Sequence, residues 1–90
     1  MDLKRVFSKG EGVAWNAFED GCVLLHVETG YYYTLNEVGK FVWESMDGSR
    51  SLEDIRDSVA AVYDASREEV GRDLAELAEQ LACEGLATAE

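Results

Sequence analysis

The spacing of the apolar residues changes at Asn36, and this change divides the chain into two blocks of different secondary structure. Before Asn36, residues 13–18, 22–27 and 31–35 are rich in β-branched and aromatic side chains, which favour strands. After it, apolar residues recur at the spacing of one helical face. Strands in one block and helices in the next predict an α+β domain, because a parallel βαβ sheet would alternate the two.

Two turn signals separate the three predicted strands. Residues 19–21 read Glu-Asp-Gly and residues 28–30 read Glu-Thr-Gly, and both are short enough to join antiparallel neighbours. The sequence therefore predicts a three-stranded antiparallel sheet, and residues 1–11, which show no clear period, are expected to be flexible. A small sheet covered by helices on one face leaves backbone donors and acceptors available at an edge strand.

The three predicted helices each begin after a residue that favours the N-cap position: Asn36, Ser51 and Ser66. The first helix is expected to end near Gly48 and the second near Asp64. The third has an apolar stripe at the spacing i, i+4, i+7, i+11 and is expected to end at Gly85. The stripe consists of Val70, Leu74, Leu77 and Leu81. Residues 1–90 are thus predicted to form one domain, with a three-stranded sheet followed by three helices.

The charge of the chain argues against nucleic acids and anionic membranes as partners. The formal net charge is -11, with only 8 lysines and arginines, whereas binding to phosphates needs clustered positive charge. On the third helix only Arg67 and Arg72 are basic, so a DNA-binding winged helix is disfavoured. No apolar run is long enough to span a membrane, and the N-terminus lacks the apolar core of a signal peptide, so a cytoplasmic location is expected.

The sequence shows no constellation typical of catalysis or metal binding. Cys22 and Cys83 have no CxxC spacing, and they are interpreted as ordinary thiols. His26, the only histidine, lies four residues after Cys22, which in a strand separates them by about 13 Å. No nucleophile motif, phosphate-binding loop or dinucleotide fingerprint is present. The prediction is a protein that is not an enzyme and has no metal and no cofactor.

Three consecutive tyrosines occupy the last predicted strand. With Leu35 pointing inward, strand alternation places Tyr31 and Tyr33 on its face of the sheet and Tyr32 with Thr34 on the other. Aromatic residues suit strands for structural reasons alone, so two of the three are expected to pack. Tyr32 is expected to be the exposed one.

Several short motifs from residue 33 onward resemble the PqqD-like family. The resemblance covers about residues 22–87 and is most specific in the Leu-Asn-x-x-Gly-x-x-x-Trp motif of residues 35–43 and the Glu-Gly-Leu of residues 84–86. The remaining matches are Asp47-Gly48, Leu52-Glu53-Asp54-Ile55, Tyr63, Asp73-Leu74 and Leu77.

The resemblance implies a winged helix-turn-helix-like fold and a role in recognising precursor peptides that are made by ribosomes and then modified. Members of this family bind the leader of such a peptide as an added strand, beside the third strand and in a groove walled by the third helix. Carried over by position, this implies a peptide-binding site formed by Tyr31, Tyr32, Tyr33, Thr34, Leu35, Arg72, Asp73, Leu74, Leu77 and Gln80. The acidic residues of the second and third helices are interpreted mainly as a solvated face; the alternatives are that some meet a basic partner or that Asp73 accepts a hydrogen bond from a bound peptide.

The run from Val27 to Gly39 looks closer to the stand-alone recognition proteins of lasso-peptide pathways than to proteins of pyrroloquinoline quinone synthesis. The first interpretation implies a separate cysteine protease that cleaves the leader. The alternative is a peptide chaperone for a radical SAM enzyme, and a third possibility is an adaptor that binds a protein partner without a leader. A monomer is expected, although the free sheet edge also allows two copies to pair.

Overall fold

The structure is a computed structural model and describes residues 2–90. These residues form six strands and three helices. The strands are β1 (Val6–Lys9), β2 (Val13–Phe18), β3 (Gly21–His26), β4 (Tyr32–Asn36), β5 (Asp47–Ser51) and β6 (Ala87–Ala89). The helices are α1 (Glu37–Ser45), α2 (Leu52–Tyr63) and α3 (Arg67–Cys83). The predicted α+β class is confirmed.

The central sheet has the order β2-β3-β4 and is antiparallel throughout. Phe18 lies opposite Gly21 across the first turn, and Leu24 in the middle strand lies opposite Tyr33 of β4. A β-carbon at Gly21 would collide with the carbonyl oxygen of Leu35, so glycine is required where β3 and β4 approach each other. This is the predicted three-stranded sheet, and β2 and β4 are its two edge strands.

A second sheet, with the order β5-β1-β6, differs from the sequence-based prediction of a single sheet. The central strand of this second sheet, β1, lies within residues 1–11, which were expected to be flexible. The side chain of Phe7 in β1 is buried. β1 pairs with chain segments far away in sequence, since Val6 lies opposite Ser51 and Phe7 lies opposite Ala89. Such short strands, of 3 to 5 residues, are too brief to show a periodic pattern.

The three predicted N-caps are confirmed. The side chain of Asn36 accepts a hydrogen bond from the Gly39 N–H at 2.8 Å, and Ser51 forms a complete capping box with Asp54. Ser66 caps α3 by accepting from the Glu69 N–H. Each cap accepts a hydrogen bond from a backbone N–H of the first turn that has no acceptor within the helix, and the cap therefore fixes where the helix begins.

The core lies between the inner face of the central sheet and the three helices. Its buried side chains are mainly apolar: Phe7, Cys22, Leu24, Val42, Trp43, Met46, Leu52, Ile55, Val59, Leu74, Ala78, Leu81, Leu86 and Ala87. Trp43 of α1 is fully buried and meets the ring of Trp15 edge-on, with centroids 6.1 Å apart. Lys9 of the small sheet places its Nζ 5.6 Å from the ring centroid of Trp15 in β2, and this contact links the two sheets.

Candidate functional site

A groove of about 580 Å³ lies between the end of β4 and one face of α3. Its floor is apolar and includes Val42 from α1, Val59 from α2 and Leu74 from α3. Toward the C-terminal end of α3 it leads into a smaller hollow of about 110 Å³, and the two share Thr34, Leu35, Leu77 and Gln80 as lining residues. The groove is therefore an elongated apolar depression that runs beside an edge strand.

The Leu-Asn-x-x-Gly motif builds the junction where β4 passes into α1. Leu35 lines the groove, Asn36 caps the helix, and Gly39 lies directly over the Leu35 side chain. A β-carbon at Gly39 would lie 3.0 Å from the Leu35 β-carbon, so glycine lets the strand and the helix pack closely. The motif thus shapes one end of the groove through packing and capping.

One side-chain hydrogen bond links β4 to α3 across the smaller hollow. The Tyr33 hydroxyl donates to Glu84 Oε2 at 2.6 Å, at the C-terminal end of α3. This hydrogen bond and the partial burial of the phenol raise the pKa of Tyr33 above its ordinary value. The bond holds the strand and the helix at a fixed separation at this end of the groove.

The free edge of β4 presents unused backbone groups beside the groove. Within residues 2–90, β4 has β3 on one side and no strand on the other. The His26 N–H donates to the Tyr31 carbonyl oxygen at 2.9 Å, and this bond shows which residues of β4 form backbone hydrogen bonds with β3. Because hydrogen-bonded and non-bonded pairs alternate along such a ladder, the N–H and C=O groups of Tyr32 and Thr34 point away from β3. They form a short, correctly spaced template for another strand.

One more tyrosine is exposed than the sequence predicts. Tyr31 and Tyr32 are 65% and 71% exposed, and Tyr33 is the one that packs against the core. The exposure of Tyr32 is confirmed, whereas the expectation that two of the three pack is wrong. Tyr31 lies next to the 27–30 turn, at an end of the sheet that extends beyond the core, and Val27 is exposed there as well.

Most of the site residues predicted from the sequence lie together around the groove. Those lining the groove or its smaller extension are Tyr33, Thr34, Leu35, Asp73, Leu74, Leu77 and Gln80. Tyr31, Tyr32 and Arg72 do not line it. Arg72 is exposed, and one step along a helix turns a side chain by about 100°, which places Arg72 off the face that carries Asp73.

Other lining residues were not predicted from the sequence. They are Asn36, Val38, Gly39, Val42, Val59, Val70 and Glu76, with Leu81, Glu84 and Leu86 in the smaller hollow. Val38 is 38% exposed in the structure, but its spacing in the sequence is that of the apolar face of α1, so it carried no separate signal. Val42 and Val59 carried none, since a floor residue and an ordinary core residue have the same helical spacing.

The charged residues that line the groove are all acidic. Asp73 and Glu76 line the main groove, Glu84 lines the smaller hollow, and no lysine or arginine lines either part. The ion pairs among residues 2–90 lie elsewhere, where Asp57 contacts Arg56 and Arg67, each at 3.0 Å. The wall that α3 contributes is therefore negatively charged and unpaired at Asp73 and Glu76.

The two thiols lie in different surroundings, with Cys22 buried and Cys83 exposed. Burial raises the pKa of the Cys22 thiol, which keeps that sulfur protonated at neutral pH. In the part of the chain from residue 2 onward, no three His, Cys, Asp or Glu side chains are grouped so that they could hold a metal ion. No helix of that same part is long and apolar enough to cross a membrane.

The match to a family model is consistent with this fold and groove. The model for coenzyme PQQ synthesis protein D (PqqD) matches residues 21–87, which span β3 to the start of β6. The chain belongs to the PqqD family. No curated protein sequence matches the chain significantly.

Two solved structures have the same fold. TbiB1 in complex with the TbiA(beta) leader peptide has a TM-score of 0.81 and 32% sequence identity, over 89% of this chain and 93% of TbiB1. A lasso peptide synthetase B1 complexed with the leader peptide has a TM-score of 0.81 and 24% identity, over 91% of this chain and 96% of that protein. The resemblance to a PqqD-like protein inferred from the sequence is confirmed.

Proposed function

We propose that this chain binds the leader of a ribosomally made precursor peptide and presents that peptide to a separate processing enzyme. The observation that supports this most strongly is the coincidence of a free strand edge with an apolar groove. The backbone groups of Tyr32 and Thr34 are available at the edge, and the groove of about 580 Å³ lies beside it. The similarity to TbiB1, which was solved with a leader peptide, supports the same function.

In this proposal the leader adds to β4 as a fourth strand of the central sheet. Its backbone pairs with Tyr32 and Thr34, and alternate side chains point toward α3, where the apolar floor receives them. Backbone pairing supplies affinity with little sequence preference, and the floor supplies the preference. We expect a dissociation constant between about 50 nM and about 1 µM, which permits capture and later release.

The chemistry of processing belongs to the partner in this proposal, and the chain itself is not an enzyme. We propose that the pathway makes a lasso peptide and that the partner is a cysteine protease that removes the leader. The similarity of the fold to a lasso peptide synthetase B1 supports the choice of pathway, and the protease is the partner that the sequence resemblance implies. The chain acts in the cytoplasm, where ribosomal precursors are made, and as a monomer, so that the β4 edge is open to the leader.

A second candidate is a chaperone that carries a leader to a radical SAM enzyme, and the PqqD family model favours it. The two candidates differ in which enzyme the leader-loaded chain activates. Adding the chain to the leader peptidase encoded beside its gene should accelerate leader cleavage under the first proposal. Acceleration of a radical SAM enzyme, with no effect on the peptidase, would favour the second.

Fluorescence-anisotropy titration of labelled leader peptides from the neighbouring precursor gene tests leader binding by strand addition. Thr34→Pro removes an outward N–H and is compatible with an edge strand, so the fold should persist while affinity falls by about tenfold or more. Ala17→Pro, on the opposite free edge at β2, is the matched control and should bind normally. Equal binding by both variants would contradict strand addition at β4. A wild-type chain that binds no neighbouring leader would instead favour the adaptor.

A further inference from the structure

We propose that the groove selects leaders that carry a lysine or arginine two residues from an apolar anchor, with both side chains facing α3. This inference rests on the proposed function and names the class of peptide that the same site accepts. Three features carry it: the mixed lining of the groove, the lack of an ion pair at its carboxylates among the described residues, and the spacing of an added strand against a helix.

The first feature is that carboxylates and apolar side chains share one face of α3. Asp73 and Glu76 line the groove together with Leu74 and Leu77. Because residues three and four positions apart are neighbours on a helix, both carboxylates border the same apolar strip. A side chain that enters the groove therefore meets an apolar surface and a negative charge at the same place.

The second feature is that no cation of the groove lining faces these carboxylates, since Arg72, four residues before Glu76, is exposed and lies outside that lining. Neither Asp73 nor Glu76 belongs to an ion pair in the region that the structure describes, and the groove has no lysine or arginine in its lining. A bound peptide would partly shield both carboxylates from water, which is unfavourable unless the peptide brings positive charge. An acidic residue at that position would be repelled by the wall and by the net charge of -11.

The third feature is geometric. Alternate residues of a strand point to the same side and are about 6.6 Å apart. Positions four apart on a helix, such as Asp73 and Leu77, are separated by about 6 Å along the axis. An apolar residue and a basic residue at positions i and i+2 of the leader can therefore reach Leu77 and Asp73 together. Lysine and arginine suit this place because their aliphatic stems lie along apolar surface while the charged end reaches a carboxylate.

The test uses labelled leader peptides from the neighbouring precursor gene, in which each groove-facing position is changed in turn to Lys, Gln or Glu. At the selective position the expected order of affinity is Lys over Gln over Glu, with about a tenfold step from Lys to Gln at low salt. The double variant Asp73→Asn with Glu76→Gln should lose that step and most of the salt dependence. The matched control, Glu68→Gln with Glu79→Gln, changes the charge of α3 equally without touching the groove lining and should keep both.

The outcomes separate this inference from the proposed function. If Lys and Gln peptides bind alike, and the Asp73/Glu76 variant matches the wild type, charge selection is overturned. Leader binding itself would still stand in that case, provided that Thr34→Pro weakens it. If the Glu68/Glu79 control loses the Lys preference as strongly as the groove variant, the selection arises from overall charge and the inference is wrong.

Discussion

The two free edges of the central sheet offer the same backbone chemistry in different surroundings. Next to β2, the Val27 N–H donates to the Gly12 carbonyl oxygen at 3.0 Å. Because hydrogen-bonded and non-bonded pairs alternate from there, the backbone groups of Trp15 and Ala17 point away from β3. On β4 the corresponding residues are Tyr32 and Thr34. The β4 edge has an apolar groove and α3 beside it, whereas no residue of β2 lines the groove or its smaller extension.

Two lysine side chains lie close to β2 instead. Lys40 Nζ donates to the Phe18 carbonyl oxygen at 2.6 Å, and Lys9 Nζ lies 5.6 Å from the Trp15 ring centroid. An unpaired edge alone therefore does not define a peptide site, because affinity and selectivity also need a surface of side chains next to that edge.

Removing the apolar character of the wall should produce the largest effect. Leu77→Asp places a third carboxylate among Asp73 and Glu76 and removes a floor residue, so leader affinity should fall by about 100-fold. Val62→Asp is the control, since Val62 is 61% exposed on α2 and does not line the groove. Anisotropy titration, with circular dichroism to verify folding, gives the result. Unchanged affinity in a folded Leu77→Asp variant would mean that the apolar wall beside β4 does not contribute to leader binding.

A smaller effect is expected from the link between Tyr33 and Glu84, which has no counterpart on β2. The hydrogen bond to Glu84 is the largest of the effects that raise the pKa of Tyr33. A raised folded-state pKa stabilises the fold below the pKa of an unfolded tyrosine, about 10, and this contribution is lost as pH rises through the folded value. Thermal unfolding between pH 8 and pH 11.5 should therefore show a steeper alkaline loss in the wild type than in Tyr33→Phe.

Tyr32→Phe is the matched control for that experiment, because Tyr32 is exposed and forms no side-chain hydrogen bond in the described chain. It should keep the steep alkaline loss of the wild type. Leader affinity of Tyr33→Phe near neutral pH should change by less than about threefold, since the bond lies at the end of the groove. Identical alkaline profiles for the wild type and Tyr33→Phe would show that the bond to Glu84 does not hold β4 against α3.

The parts of the fold that were predictable from the sequence are those with local signals. Asn36, Ser51 and Ser66 mark the helix starts through chemistry that acts within three residues, and each cap is present. The second sheet was not predictable, because Phe7 pairs with Ala89 at the other end of the chain. No local pattern identifies such a partner, and the strands are too short to alternate visibly.

The site was predictable to the extent that one strand and one helix define it. Leu35 and Leu77 were included because the family resemblance indicates one strand and one helix, and both line the groove. Val59 of α2 was missed because its position in the floor depends on how α2 packs under α3. Arg72 was included because the family resemblance indicates a location along the helix, and the angular position of each side chain decides what it faces.

Backbone amide exchange, followed residue by residue by NMR with and without saturating leader peptide, tests the central claim most directly. If the leader adds to β4, the amides of Tyr32 and Thr34 should become strongly protected on binding, because each gains a hydrogen bond. The outward amides of Trp15 and Ala17 on β2 should exchange as before. Protection at β2, or saturable binding that leaves Tyr32 and Thr34 unprotected, would contradict strand addition at the groove.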